Sequence, residues 1–304
     1  MKNVFSDIPD SDTWKIARKI NEGWSDDDKY YIKTNGGNQF LLRISDASSL
    51  EKEQAYYAAL KELNHKNIPV SKLMNEGICN NGKNTFRLFR WIEGAEARKS
   101  LGNFSAKKQY DLGVQAGVIL REIHQINCPP NQPKWSIYYN RKIESKIERY
   151  KNCGIRLKNA DKILTCIKKH RHLIDNRPQS FHHGDYHIGN MLITPENTLA
   201  IIDFNRLDFG DLWEEFNRII WSAAKSPAFA SGQIHGYFDY EIPSGFFELM
   251  ALYIAVNQLG GIPWAVPYGK QQVEVLVRQT EEVLEWYDDF KLIIPRWYNQ
   301  LKIK

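Results

Sequence analysis

Three oxygen-bearing side chains stand at a spacing suited to phosphate chemistry. His183-Gly184-Asp185-Tyr186-His187-Ile188-Gly189-Asn190 is followed by Ile201-Ile202-Asp203-Phe204. Asp185, Asn190 and Asp203 are therefore set 5 and 13 residues apart. Asn190 opens one arm of an expected β-hairpin and Asp203 closes the other, which would bring their oxygens together. Two hard oxygen ligands at an open mouth suit Mg²⁺, which keeps several waters and binds phosphate oxygens. A nearby carboxylate that is not a ligand, Asp185, could receive or orient a hydroxyl proton. Zinc is the competing reading of His182, His183 and His187, but His183 and His187 would need a helix and a third ligand. Gly184 and Gly189 argue for a loop instead.

The elements that would carry these residues are segregated along the chain. Trp14–Ile20, Lys29–Thr34 and Gln39–Ile44 are β-prone, and Asn35-Gly36-Gly37-Asn38 is a hairpin turn signal. Ser48-Ser49-Leu50-Glu51 has the spacing of a capping box, and Tyr56, Leu60 and Leu63 share a face of the helix that follows. Lys83–Ile92 reads as another strand. After Gly94 the pattern turns helical. Ser105 caps a helix to about Gln125, with Leu112, Ala116, Ile119, Leu120 and Ile123 as its apolar stripe. Phe246–Leu259 and Gln272–Tyr287 are further helices. The β-like interruption is Asn190–Ile193, a turn at Pro195-Glu196-Asn197, then Leu199–Asp203. Strands first and helices later predict an α+β fold of two lobes, not a wound βαβ sheet. Residues 1–92 form the expected first lobe and 93–304 the second.

The ordered motifs resemble the aminoglycoside phosphotransferase family, whose pattern runs H-G-D-x-x-x-x-N and then an I-D-F or I-D-W strand. Leu120-Arg121-Glu122-Ile123-His124 resembles that family's L-x-x-L-H helix, and Gly210-Asp211-Leu212-Trp213-Glu214-Glu215 stands where it has G-D-P-x-x-D. Gly23-Trp24-Ser25-Asp26 is similar to its nucleotide loop. The resemblance implies a protein-kinase-like fold with a β-rich N-terminal lobe and a mostly helical C-terminal lobe. It further implies Mg²⁺-dependent transfer of the γ-phosphate of ATP or GTP to a small-molecule hydroxyl. Asp185 would be catalytic, Asn190 and Asp203 would hold the metal, and Gly23, Ser25, Arg43 and Glu53 would bind the nucleotide. The base would lie against the Phe89–Glu93 connector.

Three departures stand out. Leu41-Leu42-Arg43-Ile44 puts Arg43 where kinases carry a phosphate-contacting Lys, with Glu53 as its expected partner. Asp203-Phe204-Asn205 puts Asn205 in place of a Gly, and Asn tolerates positive φ. Asp211 is only the seventh residue after Phe204, which leaves no room for a loop that docks a polypeptide. A small acceptor is therefore expected. Asp208, Asp211 and Glu215 are its candidate contacts, within a run, Asp203–Glu215, that has five acidic residues and one Arg. Asp211 can equally be read as a cap before Leu212. An aminoglycoside-like antibiotic would suit such an acidic surface. Macrolide, choline, homoserine or sugar kinases are alternatives, as is a nucleotide-binding pseudo-enzyme.

Composition sets the remaining bounds. The 304 residues carry a net charge of +5, yet Arg141–His172 alone holds eleven Lys/Arg against three Asp/Glu. Tyr150 is the only aromatic in that stretch, so a solvated helical face is preferred over nucleic acid binding. No apolar run reaches the roughly 18–20 residues of a membrane span, since Asn257 and Gln258 break the longest. Asp7 and Asp10 stand where the apolar segment of a signal peptide would be. Cys79, Cys128, Cys153 and Cys166 show no CxxC spacing, so a reducing cytoplasm is expected. No obligate protein partner is expected.

Overall fold

The structure, a computed structural model, describes residues 5–21, 27–47 and 50–298. Gly23, Ser25 and the capping residue Ser48 lie outside them, as do the side chains of residues 50–54, Glu53 and Glu51 among them. Contacts divide the chain into two units. One is Met1–Gly94 with Thr194–Asp203, and the other is Ala95–Ile193 with Phe204–Lys304. The segment Thr194–Asp203, placed with the helical part from sequence, thus belongs to the strand-rich unit.

The first unit is a five-stranded antiparallel sheet. Its strands are β1 (Trp14–Ile20), β2 (Asp28–Thr34), β3 (Gln39–Asp46), β4 (Leu73–Cys79) and β5 (Asn84–Arg90), in the order β1-β2-β3-β5-β4. Helix α1 (Leu50–His65) connects β3 to β4. Strand period 2 sorts the side chains onto two faces. Leu42 and Ile44 of β3 join Ile8, Ile32, Cys79, Phe86 and Leu88 in a core. The alternate residues Leu41 and Arg43 share the other face with their ladder partners Tyr31, Phe89 and Arg87. Thr194–Asp203 is tied in through its strand Leu199–Ile201, where Ile201 bridges Val70 and its N–H donates to Pro69 O at 2.9 Å.

The second unit begins with β6 (Ala95–Glu96) and the short α2 (Ala97–Ser100). Helices α3 (Ala106–Ile123), α4 (Trp135–Asn152) and α5 (Ala160–His170) follow. Ser105 caps α3 as expected, accepting from Lys108 N at 3.3 Å. β7 (Gln179–His182) leads into the loop that bears Asp185, and β8 (Met191–Ile193) leaves it to pair antiparallel with β6. Leu199–Ile201 is β9, and β10 (Asp208–Asp211) pairs antiparallel with β7. The chain closes with α6 (Ile219–Lys225), α7 (Pro227–Phe238), α8 (Phe246–Ala265) and α9 (Lys270–Trp286).

Two packing devices set this unit's frame. Helices α3 and α7 meet at backbone contact through Gly113, Gly117, Gly232 and Gly236. A Cβ added at Gly113 would stand 2.1 Å from Phe229 O, and one at Gly236 would stand 2.1 Å from Val114 O. The other device is α8. With the 3₁₀ turn that follows, Phe246–Tyr268 is by length and composition apolar enough to cross a membrane, contrary to the sequence expectation. Asn257 and Gln258 do not break it, and Gln258 is buried, accepting from Thr280 Oγ1 at 3.1 Å. Of its apolar 18-residue window 72% is buried, packed by α4, α5 and α9, the pattern of a core helix.

Candidate active site

The loop between β7 and β8 is held by its own polar groups. Gly184 has φ +80°, and a Cβ there would stand 1.6 Å from Arg206 O, so only glycine lets the two segments approach. Glu215 accepts from His183 N at 2.7 Å and Gly184 N at 2.8 Å, which fixes the entry to the loop. Tyr186, fully buried, donates to Ala116 O of α3 at 2.6 Å. On the exit side, Ser222 Oγ accepts from Ile188 N at 3.1 Å and His187 Nδ1 accepts from Gly189 N at 3.0 Å.

Asp185 projects from this frame with 16% of its side chain exposed. Three cationic or ionisable groups surround its carboxylate: Arg218 Nε at 3.3 Å, His187 Nε2 at 3.6 Å and Arg206 Nε at 3.8 Å. Burial alone would raise its pKa. The neighbouring His187, Arg218 and Arg206 together outweigh that and hold it well below the usual carboxylate range. Asn190 lies close by. Its Nδ2 donates to Asp185 O at 2.9 Å, leaving Oδ1 as the acceptor end of the amide.

Asp203 and Arg43 come together in the strand-rich unit. Arg43 is 2% exposed, and its Nη1 meets Asp203 Oδ1 at 2.5 Å. Its Nε and Nη2 both donate to Asp27 Oδ2, at 2.9 and 2.7 Å. Ser45 Oγ also donates to Asp27, at 2.8 Å, and Arg87 stands 3.7 Å away. Burial opposes ionisation of Asp27, but the Arg43 charge and these hydrogen bonds lower its pKa. Sequence reasoning missed Asp27, because nothing in the spacing of an acidic run reveals which carboxylate folds over a strand. Glu53, the expected partner, has its side chain outside the described residues. The positive φ expected at Asn205 falls instead on Asp203, at 71°.

On the same sheet face, Ile16, Arg18, Tyr31, Gln39, Trp91 and Glu93 line a cavity of about 350 Å³. Tyr31 and Trp91 meet edge to face at 4.9 Å between ring centroids, and Arg18 lies over the Tyr31 ring at 5.4 Å. Tyr31 donates to Gln39 Oε1 at 2.5 Å. Aromatic walls with a few polar edges suit a flat heterocycle.

The expected acceptor contacts are corrected in two of three cases. Asp211 is fully buried, holding Arg177 through both oxygens at 2.8 and 3.0 Å and accepting from Tyr253 at 2.5 Å. It also accepts from Trp213 N at 3.1 Å, a turn bond two residues on; the 3₁₀ turn that follows, Glu214–Arg218, has Trp213 at its N-cap, so Asp211 does not cap it either. Glu215 is 1% exposed and engaged by the loop N–H groups. Buried acids already satisfied by internal donors have no oxygen facing a ligand. Asp208 alone is part-exposed, accepting from Tyr138 at 3.5 Å.

A divalent cation would need hard oxygens, and Asn190 Oδ1 and the Asp203 carboxylate are of that type. No group of three His, Cys, Asp or Glu side chains able to hold a metal occurs among the described residues.

Comparison with known proteins places this geometry in a family. No curated protein matches the chain in sequence. Among solved structures, the GDP complex of aminoglycoside 2'-phosphotransferase-IIIa is similar, with TM-score 0.65, 13% identity and coverage of 92% of this chain and 95% of the other. An amicoumacin kinase in complex with AMP-PNP, Ca²⁺ and Ami has TM-score 0.61 at 13% identity, covering 91% of this chain and 90% of its own. A thermostable aminoglycoside phosphotransferase APH(4)-Ia mutant in ternary complex with ADP and hygromycin B has TM-score 0.62 at 13% identity, covering 88% and 92%. The chain shares their α+β, kinase-like fold. A family model described as APH, phosphotransferase enzyme family, matches residues 16–246. With that match spanning most of its length, the chain belongs to the phosphotransferase enzyme family.

Proposed function

We propose that the protein transfers the γ-phosphate of ATP or GTP to a hydroxyl of a small molecule. The observation that carries this reading is Asp185, an ionised carboxylate on a rigid, glycine-gated loop with Asn190 fixed beside it. The acceptor hydroxyl donates to Asp185 and its oxygen forms the new bond to the γ-phosphorus. The bond from that phosphorus to the bridging oxygen breaks, and the nucleoside diphosphate leaves. With its pKa held low, Asp185 is a weak base. It orients the hydroxyl and takes the proton only once the new bond is largely made, as a loose transition state allows.

In this reading the aromatic cavity of the strand-rich unit takes the base, and Arg43, steered by Asp27, binds phosphate oxygens. Gly23, Ser25 and Glu53 are further proposed nucleotide residues. Asn190 and Asp203 are the proposed ligands of Mg²⁺, which would neutralise charge on the transferring phosphates. Support comes from the family and from neighbours whose complexes hold GDP, AMP-PNP or ADP. An aminoglycoside acceptor rests on that kinship alone, because only Asp208 of the three expected acids is open to solvent. Calorimetry with Mg²⁺–ATP and Mg²⁺–GTP tests the nucleotide half. Binding that is lost in Asp203→Ala is expected, and unchanged affinity in that variant would reject the metal assignment.

A further inference from the structure

The acids near Asp185 are internally matched, and one nearby cation, Lys146, has no ion pair among the described residues. Asp211 is neutralised by Arg177, and Glu214 is paired with Lys142 at 3.1 Å. Arg218 and Arg206 flank Asp185, and the charged face of α4 reaches the same 3₁₀ turn, Glu214–Arg218, through the Lys142–Glu214 pair. That face carries Tyr138, Lys142, Lys146 and Arg149 at helical spacing, one face of an α-helix. It belongs to the same stretch whose local charge exceeds that of the whole chain.

Lys146 is the distinctive member. Its stem runs over Gly260 of α8, where an added Cβ would stand 2.6 Å from Lys146 Cδ and 2.8 Å from Cε. The glycine therefore makes a slot that lays the side chain down instead of letting it extend into water. Among the described residues its ammonium has no hydrogen bond and no ion pair. Burial is the main cause of a pKa lowered to about 7, with the positive charges of Lys142, Arg218 and Arg149 adding to it and Glu214 opposing. An ammonium whose stem is held in place, with no ion pair of its own among the described residues and one turn along α4 from the Lys142–Glu214 pair, is a receptor for an anion.

We propose that the acceptor carries an oxyanion, a carboxylate or phosphate ester, and that Lys146 together with Arg218 binds it while Asp185 takes the hydroxyl. This rests on the phosphotransfer reading for the word acceptor, but not for the anion site itself. It predicts a hydroxy acid or phosphorylated polyol as substrate, and it predicts discrimination against polycations.

The test has two arms. In the first, lysines are dimethylated with ¹³C and the Lys146 signal, assigned with Lys146→Arg, is titrated with inorganic sulfate at constant ionic strength. Sulfate is expected to raise the Lys146 pKa by about one unit, as an opposite charge within contact distance does. Gly260→Ala, which displaces the stem, should abolish that response. A Lys146 signal indifferent to sulfate overturns the site, whether or not the protein transfers phosphate. In the second arm, transfer from Mg²⁺–ATP is assayed with gluconate, glucose and glucosamine, and with kanamycin. Preference for the anion by about tenfold in kcat/KM, lost through KM in Lys146→Met, supports the acceptor assignment. Preference for glucosamine or kanamycin overturns it. A sulfate response with no transfer to any acceptor would leave the anion site standing and count against phosphotransfer.

Discussion

Arg43 bridges two carboxylates: Asp203 at 2.5 Å on one side and Asp27, held through two nitrogens, on the other. The proposed phosphate ligand is thus directly paired with a proposed metal ligand. With Asp203 proposed to hold the cation and Arg43 the phosphate oxygens, a bound Mg²⁺–triphosphate would supply a counter-charge to each of them. Asp27 would then keep the guanidinium oriented through its two hydrogen bonds.

Asp27 therefore has a testable positioning role. Asp27→Asn should raise the KM for Mg²⁺–ATP by about tenfold, with a smaller change in kcat, since it loosens the guanidinium and leaves Asp185 intact. Asp27→Glu should recover part of the loss. Steady-state kinetics in both variants checks this, and wild-type KM in Asp27→Asn would count against the role.

Removing Arg43 should cost stability as well as binding. Arg43→Met takes from the part-buried Asp27 the guanidinium that holds it through two nitrogens, and breaking a buried pair by removing one partner typically costs roughly 3–5 kcal/mol. Urea unfolding of the variant should show a lower midpoint with an unchanged slope. Arg43→Lys should fold better but bind nucleotide more weakly, because an ammonium cannot hold Asp27 through two nitrogens.

Both Asp27 and Asp185 have folded-state pKa values below those of an unfolded chain. Their ionised forms therefore stabilise the fold fully above about pH 4, the unfolded carboxylate value, and that contribution fades as pH falls below it. Denaturation midpoints should be level from these two groups between pH 5 and 7 and drop on going to pH 3. Asp185→Asn should shallow that acid dependence, which equilibrium unfolding over this range would read directly.

The glycine contacts make a sharper structural prediction. Gly113→Ala places a methyl group 2.1 Å from Phe229 O, so α3 and α7 must separate. A loss of about 1–3 kcal/mol or more is expected from such overpacking. Gly184→Ala adds a positive-φ penalty to an even closer approach, and should abolish activity through the Asp185 loop before it unfolds the protein. Thermal unfolding beside an activity assay separates the two outcomes.

The sequence revealed the parts whose signals are local. The limits of β1, the hairpin at Asn35–Asn38 and the Ser105 cap of α3 follow from short-range turn and cap chemistry. The pairing of β7 with β10 was not legible. Each strand has only four residues, and their register joins His182 to Asp208 across a loop and a hairpin. Nor could sequence tell Asp208 from Asp211 and Glu215. All three are acids in one run, and burial alone decides which of them faces inward. The α3–α7 glycines and the Lys146–Gly260 slot escaped for a related reason, since each depends on two helices distant in the chain meeting at one point.

The central claim is tested most directly by following the γ-phosphate of labelled ATP and GTP in the presence of Mg²⁺. The acceptors would be anionic polyols, aminoglycosides, macrolides and small alcohols, with wild type and Asp185→Asn assayed side by side. Transfer to a small hydroxyl compound is expected, with kcat lowered by about 10²–10⁴ in the variant and its fold retained. Transfer at the wild-type rate in Asp185→Asn would contradict it.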